Sequence, residues 1–220
     1  MTNTTYGSEV DWGTAELPGE LGNRESDFMT TEEGDNEIRI LSNPRQKYVH
    51  WVVDEVGKKR KIDCALDGCP VCKRGQDGDK AKAVWLTIVL SRKDNKVKIL
   101  EIGSQIFAGI KKLVNNPKWG SVAEYDLNIN RGPKDSKPLY TVMPSPRTPL
   151  TTEEKKMLLA FNERVDITKF VTPPTPALVC EKLGWAEAIP AKTVNSDFVP
   201  SKTQPQPQKK KPLIDFNFDD

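Results

Sequence analysis

Lys47-Tyr48-Val49-His50-Trp51-Val52-Val53-Asp54, then Glu55-Val56-Gly57, then Lys58-Lys59-Arg60-Lys61-Ile62-Asp63-Cys64 reads as one β-hairpin. The first arm is rich in β-branched and aromatic residues, Glu55-Val56-Gly57 turns the chain, and a lysine-rich second arm delivers Cys64. In an antiparallel pair, His50 near the start of one arm and Cys64 just past the end of the other lie side by side. His50 is the sole histidine, and Cys69 and Cys72 follow closely, giving the order H-x13-C-x4-C-x2-C. Three thiolates and one imidazole make a closed set for one structural Zn²⁺, with no open position for a reactive water. Two other uses of the Cys69-Pro70-Val71-Cys72 pair remain. A redox pair belongs with a βαβ pattern opening a helix, and no helix is expected at the polar, Gly-rich Lys73-Arg74-Gly75-Gln76-Asp77-Gly78-Asp79. A disulfide framework does not suit an apparently cytosolic composition. Cys180 competes with His50 as fourth ligand. Its surroundings, 177–183, form an amphipathic helical run in which a small buried thiol needs no other explanation.

Upstream, Glu37-Ile38-Arg39-Ile40-Leu41 is expected to open the ordered domain. Residues 1–36 read as a disordered acidic arm, with Trp12 and Phe28 as isolated apolar points able to dock. Downstream, strands are expected over 83–91 and 96–102, a helix over 105–114, and strands over 123–129 and 139–143. Five or six short strands with one helix before the last hairpin predict a mainly β fold. The expected form is a five-stranded oligonucleotide-binding (OB) barrel over 37–149 with a zinc subdomain inserted at about 48–75. A helical extension covers 150–187, where Thr151-Thr152-Glu153-Glu154 is a capping box and Thr175, Pro176 and Gly184 delimit a second helix. Residues 188–220 read as a disordered Pro-, Gln-, Lys- and Ser-rich linker ending in an acidic tip.

The net charge of +2 conceals an asymmetry along the 220 residues. Residues 1–37 carry ten acids against Arg24 alone, residues 38–212 hold 32 Lys and Arg against 18 acids, and 213–220 add three acids. A basic body between acidic ends points to a polyanion-binding surface for which the tails compete. No apolar run reaches the roughly 20 residues needed to cross a bilayer, and the start shows no signal pattern. A soluble, intracellular protein without membrane partners is therefore expected. Catalysis is not: the histidine is committed to metal, no nucleophile-elbow, P-loop or paired-carboxylate signature occurs, and His50-Trp51-Val52 lacks the glutamate of a deaminase. Single-stranded nucleic acid suits the inventory, because bases stack on aromatics while cations follow phosphates. The candidates are Tyr48, Trp51, Lys58, Lys59, Arg60, Lys61, Lys73, Arg74, Lys111, Lys112, Trp119 and Tyr140, with Trp85 and Tyr125 as further aromatics that core packing also explains.

These residues resemble, in order, the zinc-containing single-stranded DNA-binding (helix-destabilising) proteins of T-even-type bacteriophages. The matching features are the strand at 37–41, the His50…Cys64…Cys69-Pro70-Val71-Cys72 set, Trp85-Leu86-Thr87-Ile88-Val89, the strand at 96–102, the helix at 106–113 and the helical segment at 166–185. The resemblance implies an OB barrel with a zinc subdomain and binding of single strands without sequence specificity. The setting it implies is phage DNA replication, recombination and repair, in the cytoplasm of the infected host. It maps the family's ligands onto His50, Cys64, Cys69 and Cys72, and a stacking aromatic onto Tyr140. Two departures stand out: the family's arm is basic and drives cooperative filaments whereas this one is acidic, and the loop between the second and third ligands is shorter. Asp215, Phe216, Phe218, Asp219 and Asp220 resemble the acidic, aromatic tips that recruit replication and recombination proteins, and self-association on DNA is a further expectation. The alternative is a zinc-ribbon RNA-binding or transcription-regulating protein.

Overall fold

A computed structural model describes residues 26–76 and 79–185. The proposed tip at Asp215–Asp220 and most of the acidic arm therefore lie outside the described residues, as do Trp12 and the linker.

Eight strands form one mixed sheet: β1 (Phe28–Met29), β2 (Gly34–Ile40), β3 (Arg45–Val53), β4 (Lys59–Asp63), β5 (Lys82–Ser91), β6 (Lys96–Ile102), β7 (Tyr125–Arg131) and β8 (Tyr140–Arg147). Among the described residues four α-helices accompany them: α1 (Pro70–Arg74), α2 (Ser104–Val114), α3 (Thr152–Arg164) and α4 (Pro176–Leu183). β5 organises the sheet. One of its edges pairs with β2 near its end and with β3 near its start, while the other pairs antiparallel with β6. Its near-continuous apolar run from Val84 to Leu90 reflects burial on both faces. Val89, Leu100 and Ile102 face a cluster with Ile38, Ile40, Leu127, Ile129 and the α2 residues Ile106 and Ile110. On the other face Leu86, Ile88, Leu90 and Ile99 pack under Leu158, Phe161 and Val165.

The expected five-stranded barrel is not what this pairing shows. From β1 the path runs through β6, β5, β2 and β7 to β8, and the sheet does not close among the described residues. A physical reason is visible at β6, whose outer edge is taken in parallel by Phe28 and Met29, with the Ile99 N–H donating to the Asp27 carbonyl at 2.7 Å. Phe28 anchors there, edge-on to Phe170 at 5.1 Å. The chain is thus in strands before Glu37, within the stretch read as a disordered arm. α2 packs along β8, and a Cβ added at Gly109 would meet Val142 Cγ2 at 2.8 Å, so this contact requires glycine.

Charged groups tie α3 to the sheet. Arg39 is fully buried and donates to Asp126 Oδ1 (2.6 Å), the Thr148 carbonyl (2.9 Å) and Thr148 Oγ1 (3.1 Å). Arg92 donates to both Asp126 and Glu154. Glu154 also accepts the Thr151 N–H at 2.8 Å, completing the expected capping box. Burial alone would raise the Glu154 carboxyl, but Arg92 and the Thr151 N–H outweigh it and hold it below its ordinary range.

Candidate metal centre and nucleic-acid face

Asp54 closes the β3–β4 turn. Its Oδ1 accepts the N–H groups of Val56 (3.2 Å) and Lys58 (2.7 Å), and its Oδ2 accepts Arg60 Nε at 2.7 Å. The Arg60 hydrogen bond holds the Asp54 carboxyl below the usual carboxylate range. Strand register then sets His50 opposite Ile62, and the Cys64 N–H donates to the Tyr48 carbonyl at 2.8 Å. His50 and Cys64 are therefore diagonal rather than directly opposed, on one face of the pair. Past Cys64 the chain reverses through Leu66 (φ 58°) and Gly68 (φ 74°), which places Cys69 at the start of α1 with Pro70 in its first turn. This five-residue helix, ending at Gly75 in the left-handed conformation, takes in Lys73 and Arg74, the first two residues of the stretch expected to hold no helix. The sequence signals Pro70 and Gly75 favour it, and one turn brings Cys69 and Cys72 to the same side.

The ligand atoms of His50, Cys64, Cys69 and Cys72 all lie within 4.8 Å of one another, so the cluster can hold one metal ion. Cys64 and Cys72 Sγ are 3.7 Å apart, and His50 Nε2 lies 3.6 Å from Cys69 Sγ and 3.5 Å from Cys72 Sγ. His50, Cys64 and Cys69 are buried, while Cys72 is exposed. Burial raises the Cys64 thiol, and burial together with the charge of Cys69 pushes Cys72 up to about 12. For Cys69 burial is outweighed by backbone N–H groups of Cys72, Ala65 and Val71, and its thiol is lowered. Thiols this close cannot all ionise without a cation, so metal entry must expel protons. Val52, Ile62 and Val71 pack around the ligands, and α4 closes over them with Val179 and Leu183. Cys180 is on α4 and outside the ligand cluster.

Alternation along β3 turns Trp51 and Val53 away from the ligands, opposite Lys61 and Lys59. Trp51 is 44% exposed and Tyr48 40%, the latter accepting Gln46 Nε2 at 2.8 Å. Lys58, Lys59 and Lys73 are exposed, whereas Arg60 is paired with Asp54 and Lys61 with Glu101. Arg74 is engaged elsewhere: it pairs with Asp79 at 2.6 Å and lies 4.5 Å over the Trp185 ring. A second group surrounds α2 and β8. Lys111 and Lys112 are exposed on the last turn of α2. Tyr140 and Trp119 pack half-buried on the inner cluster, with Trp119 5.7 Å from Tyr125 and Lys118 above it. Tyr125 is fully buried and Trp85 stacks on Phe107 at 3.9 Å, so both aromatics build core.

No protein-family model matches the chain. It is 23% identical over 142 residues, 54% of its length, to a "probable ssDNA-binding protein" of Escherichia phage T5. The matched region is about half of that relative, 55%. No helix among the described residues is long and apolar enough to cross a membrane.

Proposed function

We propose that this chain binds single-stranded DNA, coating and protecting it without sequence specificity during phage replication, recombination and repair inside the infected host. The observation that supports the reading is the exposed Trp51, with Lys58 and Lys59 exposed on the same hairpin and Lys61, paired with Glu101, directly opposite it. A base stacked on such an aromatic is worth about 1–3 kcal/mol, and adjacent lysines neutralise phosphates. The phage T5 relative's name supports the same ligand class.

The ion that suits the ligands is zinc. Metal–sulfur bonds of about 2.3 Å and metal–nitrogen bonds of about 2.0–2.1 Å give a tetrahedron with S···S edges of about 3.8 Å and S···N edges of about 3.5 Å. The separations of 3.7, 3.6 and 3.5 Å agree with it. A closed Cys₃His set would hold the hairpin's shape and do no chemistry. The sheet of 37–149 is read as a partly open relative of the OB barrel: β2 and β3 run in succession along β5, and α2 precedes the β7–β8 hairpin as such a barrel requires. Kinship to the T-even-type proteins rests on the order of the ligand set. Recruitment of replication proteins through the acidic tip and self-association on DNA complete the proposal.

Titration of tryptophan fluorescence with oligo(dT), beside duplex and RNA of equal length, tests it. Affinity for the single strand should exceed that for duplex and fall with salt, with a log-log slope of about 0.7 per phosphate contacted. A salt-independent signal, or a preference for RNA or for one sequence, would overturn it.

A further inference from the structure

Arg74 sits two residues beyond a metal ligand and belongs, by composition, with the cations that grip phosphate. Its surroundings say otherwise. A ligating imidazole offers one ring nitrogen to the ion, and the partner of the other nitrogen fixes the ring's tautomer and plane. In His50 the nitrogen facing Cys69 and Cys72 is Nε2, while Nδ1 lies 2.5 Å from the Asp79 carbonyl oxygen. Carbonyl oxygens only accept, so this contact keeps the proton on Nδ1 and leaves the Nε2 lone pair for the ion.

The carbonyl is useful only if the segment bearing it is held. Asp79 is buried, and its N–H donates to the Gln76 carbonyl at 2.9 Å. Its carboxylate accepts Arg74 Nε at 2.7 Å and Nη2 at 2.6 Å. The guanidinium is itself fixed by the Trp185 ring 4.5 Å away, just beyond α4. Only a planar, forked cation pairs along one edge and stacks on one face together, so lysine is no substitute.

Resting on the reading of the cluster as a metal site, we propose that Arg74 is a positioning residue for the ion, aligning His50 through Asp79, and is thereby withdrawn from nucleic acid. Trp185 is the last link of the same relay, joining the end of α4 to the ligand sphere.

Co(II) is the probe, since its visible d–d absorption reports tetrahedral ligand geometry. The full chain and its variants are titrated with Co(II), then with Zn(II) in competition. Arg74→Ala and Asp79→Asn should each weaken Co(II) binding about 10–100-fold and alter the d–d bands, as loss of an outer-shell partner does. The double variant should be no weaker than either single one, because both break one chain of contacts. Trp185→Phe should retain most of the parent affinity, and Lys73→Ala, on the exposed neighbour, all of it. With metal saturating, Arg74→Ala should bind oligo(dT) with the parent's affinity and salt slope. Co(II) affinity within twofold of the parent for both single variants overturns the relay, and so does an oligo(dT) defect that persists at saturating metal. Failure of the parent chain to take up Co(II) is a separate result: it sinks the metal reading itself.

Discussion

The β3–β4 and β5–β6 pairs are both antiparallel two-stranded units, yet they are held by different means. β5 and β6 lie between two apolar clusters of eleven and nine buried residues, so burial on both faces suffices to order them. The β3–β4 unit has one cluster of eight, in which Cys64 and Cys69 are ligands and Ala65 contributes little area. Its outer face carries Trp51, Val53 and lysines in solvent. An element with so small an interior needs another source of order, as small domains do. Here a helix from far along the chain packs on it, and a metal held by the cluster would supply the rest. The division also separates surfaces: one unit is buried on both faces, while the other leaves an aromatic and cations exposed on its outer face.

The largest way to break this contrast is to remove the ion. Structural zinc contributes about 10–16 kcal/mol of apparent binding free energy in small peptides. Chelation or Cys69→Ser should therefore abolish hydrogen-exchange protection over 45–76 and 176–183 while 82–102 stays protected. Equal loss in both regions would mean that the two units are one cooperative whole. Second in size is Arg39→Met, which deprives Asp126 of a buried partner. Breaking such a pair costs about 3–5 kcal/mol, and Arg92 remaining on Asp126 favours the lower end. Thermal unfolding should reveal that loss with Co(II) affinity unchanged. Smaller again is Trp51→Ala, expected to lower oligo(dT) affinity by about 1–3 kcal/mol with no change in melting temperature. An unchanged affinity would move the binding face from the hairpin to the α2–β8 group.

The smallest effect expected is on pH dependence. The Glu154 carboxyl is held below its ordinary value, so its contribution to stability is complete above that value, about 4.5. The contribution disappears as pH falls through the lowered folded-state value. Melting temperatures of Glu154→Gln should accordingly show a shallower acid limb than the parent and leave the metal hairpin unaffected.

Local patterns announced most of the elements. The capping box at Thr151, the Thr175-Pro176 start and Gly184 stop of α4, the helix before Asn115 and the apolar run of β5 all act within a few residues, where side chain and backbone decide the outcome together. The ligand cluster was equally plain, since a lone histidine and three cysteines recur at hairpin spacing. What escaped depends on distant partners. Phe28 looked isolated because its neighbour is Phe170 and its pairing strand is β6. Arg39 was read only as a member of the strand at 37–41, and its burial is set by Asp126 and Thr148. Arg74 was grouped with the phosphate contacts, because nothing near it foretells a stack on Trp185. Asp79 could not be singled out: its contact with His50 is made by its backbone carbonyl, which every residue possesses, and its carboxylate meets Arg74 only in the folded loop.

The helix that covers the ligands, α4 at Pro176–Leu183, comes roughly a hundred residues after Cys72. A ribosome releases chains from the amino end, at about 5–20 residues per second. For several seconds of every synthesis the thiols and imidazole would emerge with their lid still unmade, open to whatever cation the cell supplies. An ion taken up by this cluster would then be captured before enclosure, and the late helix would act as a latch against its escape.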